Sequence, residues 1–123
     1  MKVLIVDDEL DVEQLYRQRF RKEIKSKEIE MIFAFSANEA MDVIDQLATM
    51  DIVLVLSDIN MPGATGFDLL KFIKGKHPKL KVIMVSAYGD TMTIDKAETL
   101  GASGFFLKPI DFILLKDNIL KNH

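Results

Sequence analysis

The chain alternates short apolar runs with longer stretches in which apolar residues recur at helical spacing. The runs predict five strands, at residues 2–6, 30–35, 52–56, 81–85 and 104–107. The periodic stretches predict five helices, at about residues 11–25, 37–48, 66–74, 91–100 and 111–121. Strands that alternate with helices predict an α/β fold, a doubly wound parallel sheet with helices on both faces. For five strands we expect the order 2-1-3-4-5, with strands 1 and 3 adjacent at the topological switch point.

The second predicted helix has a clear start and a clear apolar face. Ser36, with Glu39 three residues later, matches the capping-box pattern at a helix N-terminus. The residues that share its apolar face are Ala37, Ala40, Met41, Ile44, Leu47 and Ala48. We expect this face to lie in the core.

The last two predicted helices have unusual apolar faces. The fourth has a thin stripe of Ile94, Ala97 and Leu100, which predicts that it is the most loosely held helix. The last helix is apolar over more than one buried stripe, at Phe112, Ile113, Leu114, Leu115, Ile119 and Leu120. We therefore expect a partner to cover part of the last helix.

Length and composition indicate an ordinary globular chain that forms one domain, residues 1–123, with no second domain inside the chain; whether it stands alone or belongs to a longer protein is left open. The apolar fraction of 49% and the charged fraction of 28% are typical of such chains. The absence of cysteine excludes disulfides and thiolate metal sites, and two histidines are too few for a histidine zinc site. A formal net charge of −3 argues against direct nucleic acid binding. With no targeting or membrane-spanning stretch in the sequence, we expect a cytoplasmic protein that does not bind membranes.

Five polar side chains follow four of the predicted strands. They are Asp7 and Asp8 after the first, Asp58 after the third, Ser86 after the fourth and Lys108 after the fifth. Ligands of open parallel sheets bind beyond the carboxyl ends of the strands, so the expected strand order brings these side chains to one edge. Each has an ordinary alternative role, as a helix cap, a turn residue or a solvated surface lysine. Their joint occurrence at four strand ends favours a functional site.

The chemistry of this set points to phosphoryl transfer. Three carboxylates in one cleft repel each other, and Mg²⁺ suits them because it takes oxygen ligands and is commonly completed by phosphate oxygens. A carboxylate can act as a nucleophile and form an aspartyl-phosphate, while a lysine and a hydroxyl neutralise and position the phosphoryl group. Pro109 favours an extended backbone at Lys108 or a cis peptide bond, either of which orients the lysine.

In combination, four motifs resemble the receiver domain of the two-component response regulators, a CheY-like domain with a flavodoxin-like fold. The motifs are Leu4-Ile5-Val6-Asp7-Asp8-Glu9, Asp58-Ile59-Asn60-Met61-Pro62 with Gly66, Val85-Ser86-Ala87, and Lys108-Pro109. The resemblance extends over the whole chain. It implies a phosphorylation-activated signalling switch that is not an enzyme and assists only its own phosphorylation and dephosphorylation.

The resemblance also implies a role for each site residue. Asp58 would accept a phosphoryl group from a phosphohistidine on a sensor histidine kinase or a phosphotransfer protein. Asp8, Asp58 and the backbone carbonyl of Asn60 would bind Mg²⁺, with Asp7 acting mainly through water. Ser86, where relatives often have threonine, would hydrogen-bond the phosphoryl oxygen and Lys108 would pair with it.

A conformational switch is implied as well. Ser86 would move toward the phosphoryl group and Phe105 would fill the space it leaves, although simple filling of the core is the alternative role for Phe105. The face formed by the fourth helix, the fifth strand and the last helix would then contact an output domain, a partner protein or a second copy. Asn60 and Tyr88 occupy positions that influence dephosphorylation, and we hypothesise that Tyr88 shields the acyl phosphate.

Three other functions compete with this interpretation. A Mg²⁺-dependent phosphohydrolase would also form an aspartyl-phosphate, but such enzymes carry Asp-x-Asp after the first strand and a substrate cap. A flavodoxin-like module would bind FMN at the switch point, where this chain has four acidic residues that would repel its phosphate, Asp7, Asp8, Glu9 and Asp11. A receiver that binds partners without phosphorylation is the third, and the complete set of site residues argues against it.

Overall fold

A computed structural model describes residues 1–46 and 51–122, and its elements follow the predicted alternation. The strands are β1 (Lys2–Val6), β2 (Glu30–Ala34), β3 (Ile52–Asp58), β4 (Lys81–Ser86) and β5 (Gly104–Leu107). The helices are α1 (Asp11–Arg19), α2 (Arg21–Lys25), α3 (Ala37–Gln46), α4 (Gly66–Lys76), α5 (Thr91–Thr99) and α6 (Phe112–Asn122). All strand pairs are parallel and their order is β2-β1-β3-β4-β5, which confirms the predicted fold and strand order.

The described residues form six helices where five were predicted, because the first predicted helix is divided at Phe20. The backbone of Phe20 has φ −106° and ψ 19°, which is outside helical geometry. Hydrogen bonding nevertheless continues across the break, since the Phe20 N–H donates to the Tyr16 carbonyl at 2.9 Å and the Ile24 N–H donates to the Phe20 carbonyl at 2.9 Å. The break at Phe20 therefore does not leave the backbone N–H and carbonyl groups of Phe20 unpaired.

Two other helix boundaries test the sequence patterns. The start of α3 agrees with the prediction, since the Glu39 N–H donates to Ser36 Oγ at 3.0 Å. Leu47 and Ala48, which were predicted to extend the apolar face of this helix, lie outside the described residues. The third predicted helix was expected to end at about residue 74, with Gly75 and Pro78 as its stop, but α4 continues through Gly75 to Lys76. The helix ends there because Pro78 disfavours helical geometry at His77, whose φ is −135° and ψ is 68°.

The sheet is covered on both faces, and each strand contributes alternate side chains to two cores. From β1, Leu4 and Val6 pack with α3, α4 and α5, whereas Val3 and Ile5 pack with α1, α2 and α6. Burial on both faces explains why the strands read as continuous apolar runs rather than as alternating patterns. The two layers leave the carboxyl edge of the sheet open between them.

The two helices with unusual apolar faces differ in how they are buried. In α5, Ala97 is the buried residue, which agrees with the thin stripe in the sequence, and loose packing of this helix stays a prediction. In α6, Leu115 and Ile119 are fully buried, while Ile113 is 82% exposed and Leu114 is 59% exposed. Across the described part of the chain, no helix has both the length and the apolar character that spanning a membrane requires.

Candidate functional site

The carboxyl ends of β1, β3, β4 and β5 meet at one edge of the sheet, where the polar residues singled out in the sequence converge. Asp7 follows β1, Asp58 ends β3, Ser86 ends β4 and Lys108 follows β5. Because β1 and β3 are neighbours in the sheet, Asp7 and Asp58 lie on either side of the switch point. The convergence depends on strand order and not on distance along the chain.

Three carboxylates form a cluster at this edge. Asp7, Asp8 and Asp58 can each present one carboxylate oxygen so that the three atoms lie within 4.8 Å of one another. Asp7 and Asp58 are buried, and Asp8 is partly exposed. A hydrogen bond from the Glu9 N–H to Asp7 Oδ1 at 2.9 Å fixes one side of the cluster. Hard cations prefer such a set of closely spaced oxygen donors.

Lys108 is the cation that the described residues place in the cluster. Its Nζ donates to Asp58 Oδ2 at 3.1 Å and to Asp7 Oδ2 at 3.2 Å. The peptide bond between Lys108 and Pro109 is cis. Since one lysine faces three carboxylates, the cluster retains an excess of negative charge.

Burial and charge perturb the ionisation of this cluster. Burial raises the pKa of Asp58 above its ordinary value, and the hydrogen bond from Lys108 opposes this rise without cancelling it. Burial by itself lowers the pKa of Lys108, but the hydrogen bond and charge of Asp58, with the charge of Asp7, more than offset burial and raise it. Perturbed ionisation in a cleft is typical of functional sites.

The hydroxyl of Ser86 is fully buried beside this cluster and accepts two hydrogen bonds. The backbone N–H of Tyr88 donates to Ser86 Oγ at 3.0 Å, and Asn60 Nδ2 donates at 3.4 Å. The loop after β3 thus contacts the loop after β4 through the Ser86 side chain. Asn60 is itself exposed, and Tyr88 is 64% exposed.

Gly66 fixes the backbone beneath Asp58. A β-carbon at this position would lie 2.8 Å from Ile59 Cα and 2.9 Å from the carbonyl carbon of Asp58, which is closer than side chains tolerate. The Gly66 N–H donates to the Ile59 carbonyl at 2.9 Å. Glycine is therefore required for the close approach of α4 to the end of β3.

Phe105 lies on β5, and it is partly buried against the core that α3, α4 and α5 cover. A cavity of about 250 Å³ adjoins it, lined also by Ala97 of α5 and by Ala102 in the loop between α5 and β5. Whether Phe105 is a switch residue or a core residue stays a prediction.

Sequence reasoning missed two features near the site. Thr65 and Asp68 form a reciprocal capping box that begins α4, and the Thr-x-x-Asp pattern before an apolar run would have revealed it. Tyr16 is buried next to the cluster, and burial together with the charges of Asp7 and Asp58 raises the pKa of its phenol. No local pattern distinguishes such a tyrosine from one that only packs.

Fold and site together define a class: doubly wound α/β proteins with a lysine-bridged acidic cluster at the topological switch point. A family model described as the response regulator receiver domain matches residues 3–120, and the chain belongs to that family. Receiver domains are phosphorylation-activated switches of two-component signalling, and the relatives of this chain support the same role for it.

Relatives differ in how much of their length this chain spans. The sporulation initiation phosphotransferase F of Bacillus subtilis is 32% identical over 120 residues, which are 98% of this chain and 91% of the relative. The response regulator protein PilR of Pseudomonas aeruginosa is 32% identical over 117 residues, which are 94% of this chain and 24% of PilR. This chain therefore spans about nine tenths of one relative and about a quarter of the other.

Among solved structures, the CheX-CheY-BeF3-Mg+2 complex from Borrelia burgdorferi contains a chain similar to this one. The TM-score is 0.87 at 28% sequence identity, and the alignment covers 99% of this chain and 88% of that chain. The similarity extends over the whole sheet and its helices, which agrees with the fold described above.

Proposed function

We propose that Asp58 is the phosphoacceptor of this receiver domain and that a sensor histidine kinase or a phosphotransfer protein is the phosphoryl donor. The observation that carries the proposal is the position of Asp58, buried at the switch point, with Lys108 Nζ 3.1 Å from its Oδ2 and two further carboxylates beside it. A buried carboxylate that retains a nearby cation is suited to act as a nucleophile toward phosphorus.

The proposed reaction forms one bond and breaks one. A carboxylate oxygen of Asp58 attacks the phosphorus of the donor's phosphohistidine, and the new O–P bond replaces the P–N bond. The electron pair of the broken bond stays on the imidazole nitrogen, which then takes a proton from water. Lys108 follows the phosphoryl group as a counter-charge, exchanging a carboxylate oxygen for a phosphoryl oxygen.

Mg²⁺ fits the donor set, because three carboxylate oxygens within 4.8 Å of one another face a single lysine. Asp8, Asp58 and the backbone carbonyl of Asn60 would hold the ion, with Asp7 acting through water. When bound, Mg²⁺ supplies positive charge that offsets the carboxylates and the oxygens of the phosphoryl group. The Borrelia neighbour, whose name includes BeF3 and Mg+2, supports this by similarity.

The proposed switch runs from Ser86 to Phe105. A phosphoryl group adds about two negative charges and three strong acceptors, toward which the Ser86 hydroxyl turns to donate its proton. Phe105 then moves into the space beside β4 and changes the face made of α5, β5 and α6. This face exposes Met92 (82%) and Ile113 (82%), and we propose that it contacts an output domain, a partner protein or a second copy.

Asn60 and Tyr88 would tune how quickly the phosphoryl group is lost to water. The ring of Tyr88 is mostly exposed at rest, so shielding requires it to fold over the phosphorylated pocket. In this proposal the chain is regulatory, and the chemistry it assists is its own phosphorylation and dephosphorylation. The family assignment favours this function over a small-substrate phosphohydrolase and over FMN binding.

The test is incubation with acetyl phosphate and Mg²⁺, followed by intact-protein mass spectrometry. We expect the parent to gain one phosphate and Asp58→Asn to gain none, because the amide is not nucleophilic. Asp95→Asn is the matched control, since Asp95 is exposed on α5 away from the cluster, and it should be modified like the parent. Equal labelling of parent and Asp58→Asn would assign the phosphate to another residue.

A second readout tests the switch itself. Adding BeF3⁻ and Mg²⁺ should shift amide NMR signals in β4, α5 and β5 of the parent and leave those of Asp58→Asn unchanged. Shifts confined to the pocket would reject the proposed path to Phe105 while retaining Asp58 as the acceptor.

A further inference from the structure

Both acceptor positions of the Ser86 hydroxyl are occupied in the resting structure. A hydroxyl has two lone pairs and one proton. Here the Tyr88 N–H donates to one lone pair at 3.0 Å and Asn60 Nδ2 donates to the other at 3.4 Å. Among the described residues, no hydrogen bond joins Ser86 Oγ to the carboxylate of Asp58 or to Lys108 Nζ. At rest, the hydroxyl is therefore tied to the loops after β3 and β4 and not to the acidic cluster.

The two donors differ in kind. The Tyr88 N–H is a backbone group two residues from Ser86, so this hydrogen bond is local to its own loop. Asn60 is 26 residues away along the chain and reaches Ser86 from the loop that follows Asp58. Of these two hydrogen bonds, the one from Asn60 connects the loop after Asp58 to Ser86.

The Asn60 hydrogen bond is weak enough to be reversible. Its length of 3.4 Å exceeds the usual N–H···O distance of about 2.7–3.2 Å, and its donor side chain is exposed while its acceptor is fully buried. When this hydrogen bond breaks, the exposed Asn60 amide can bond to water, whereas the buried Ser86 hydroxyl loses a donor. The free-energy cost of breaking it therefore arises mainly at Ser86. Such a bond can bias the orientation of the hydroxyl without locking it.

We propose that the carboxamide of Asn60 is a positioning residue that holds the Ser86 hydroxyl in its resting orientation, away from Asp58. The resting geometry alone supports the role of Asn60 in holding the Ser86 hydroxyl. Only the release of this hydroxyl by a phosphoryl group rests on the proposed function. When Ser86 turns toward Asp58, the hydrogen bond to Asn60 breaks. Asn60 thus opposes activation in the resting protein, a role separate from any contribution of its backbone carbonyl to a metal.

The test measures the side-chain rotamer of residue 86 without metal or phosphodonor. Ser86→Thr keeps the hydroxyl and adds a methyl group, whose three-bond NMR couplings report the χ1 angle. Into this background we would introduce Asn60→Ala, Asn60→Leu, which preserves the size of the side chain but removes its donors, and Asn38→Ala as a control. Asn38 is an exposed carboxamide on α3.

We expect the Ser86→Thr protein to favour one rotamer and both Asn60 variants to shift the population ratio by about two- to tenfold, the range that one net hydrogen bond supplies. Asn38→Ala should leave the ratio unchanged. An unchanged ratio in Asn60→Ala would overturn the proposal, and so would a shift in Asn60→Ala that Asn60→Leu does not reproduce, because packing would then be the cause.

A second measurement covers the release step in proteins that retain Ser86. If Asn60 opposes activation, Asn60→Leu should bind BeF3⁻, in saturating Mg²⁺, more tightly than the parent by the same factor as the rotamer shift. Tighter binding without a rotamer shift would overturn the proposal. Failure of every variant and of the parent to bind BeF3⁻ would reject the proposed function and leave the rotamer result to decide the role of Asn60.

Discussion

At the residue scale, burial of the Asp58 carboxylate costs free energy, and the same burial prepares this residue for its function. Burial raises its pKa, the Lys108 hydrogen bond lowers it in part, and the charges of Asp7 and Asp8 add to the rise. The charged form is therefore disfavoured in the folded protein relative to the unfolded chain. A cation or a covalent modification at this position relieves a penalty that already exists in the resting fold.

This penalty predicts how stability depends on pH. A carboxyl whose pKa is higher in the folded protein costs nothing below its unfolded pKa of about 3.9, and costs progressively more as the pH rises through the folded pKa. Without divalent metal, Asp58→Asn should therefore unfold at a higher urea concentration than the parent at pH 7, with a difference that shrinks toward about pH 4. The amide retains an oxygen that can accept from Lys108.

The control for this prediction is Asp95→Asn, which removes an exposed carboxylate and should change little at either pH. If Asp58→Asn is less stable than the parent at pH 7, the ion pair with Lys108 outweighs the cost of burial.

At the scale of elements, the helices differ in what the sequence specifies. The start of α3 follows from Ser36 and Glu39, because a capping pattern depends only on neighbouring residues. The break at Phe20 does not, since its ring is fully buried in the aromatic cluster with Tyr16 and Phe112, and packing decides the backbone geometry there. Element type was predictable throughout the described strands, whereas this interruption depends on tertiary contacts.

Two glycines of α4 allow a matched prediction. Gly66→Ala should lower the free energy of unfolding by about 2 kcal/mol, because its methyl group would press on the backbone of Asp58 and Ile59. Gly75→Ala should raise it by about 0.5 kcal/mol, since nothing lies within 4 Å of the added methyl group and alanine favours the helix. Urea unfolding measures both.

Gly66→Ala and Gly75→Ala also distinguish an effect on stability from an effect on the rate of phosphorylation. Because Gly66 supports the backbone at Asp58, Gly66→Ala should slow phosphorylation by acetyl phosphate, and Gly75→Ala should not. Equal phosphorylation rates in the two variants would show that the backbone beneath Asp58 adjusts without moving the carboxylate.

At the scale of the whole molecule, the sheet order turns separate acidic and basic residues into one charge cluster. Residues as distant as Asp7 and Lys108 are joined by a hydrogen bond of 3.2 Å. The excess of negative charge in the cluster predicts that a divalent cation stabilises the entire fold. This follows because a ligand that binds only the folded state raises its stability.

Mg²⁺ should therefore raise the melting temperature of the parent, with a gain of about 2.7 kcal/mol once its concentration is a hundred times the dissociation constant. Asp8→Asn should lose most of this gain, because it removes one of the three clustered carboxylates. Asp95→Asn should retain it, and NaCl at equal ionic strength should not reproduce it. An equal response in parent and Asp8→Asn would place the ion elsewhere.

The sequence by itself determined the element types, their order along the chain and the residues at the strand ends, because these depend on local periodicity and turn chemistry. The motifs around Asp7, Asp58, Ser86 and Lys108 were also sufficient to indicate the family. Only the tertiary structure decided which atoms meet: the bridging of Asp7 and Asp58 by Lys108, the crowding at Gly66 and the hydrogen bond from Asn60 to Ser86. These contacts join residues far apart in the chain, and their distances depend on how the strands and helices pack.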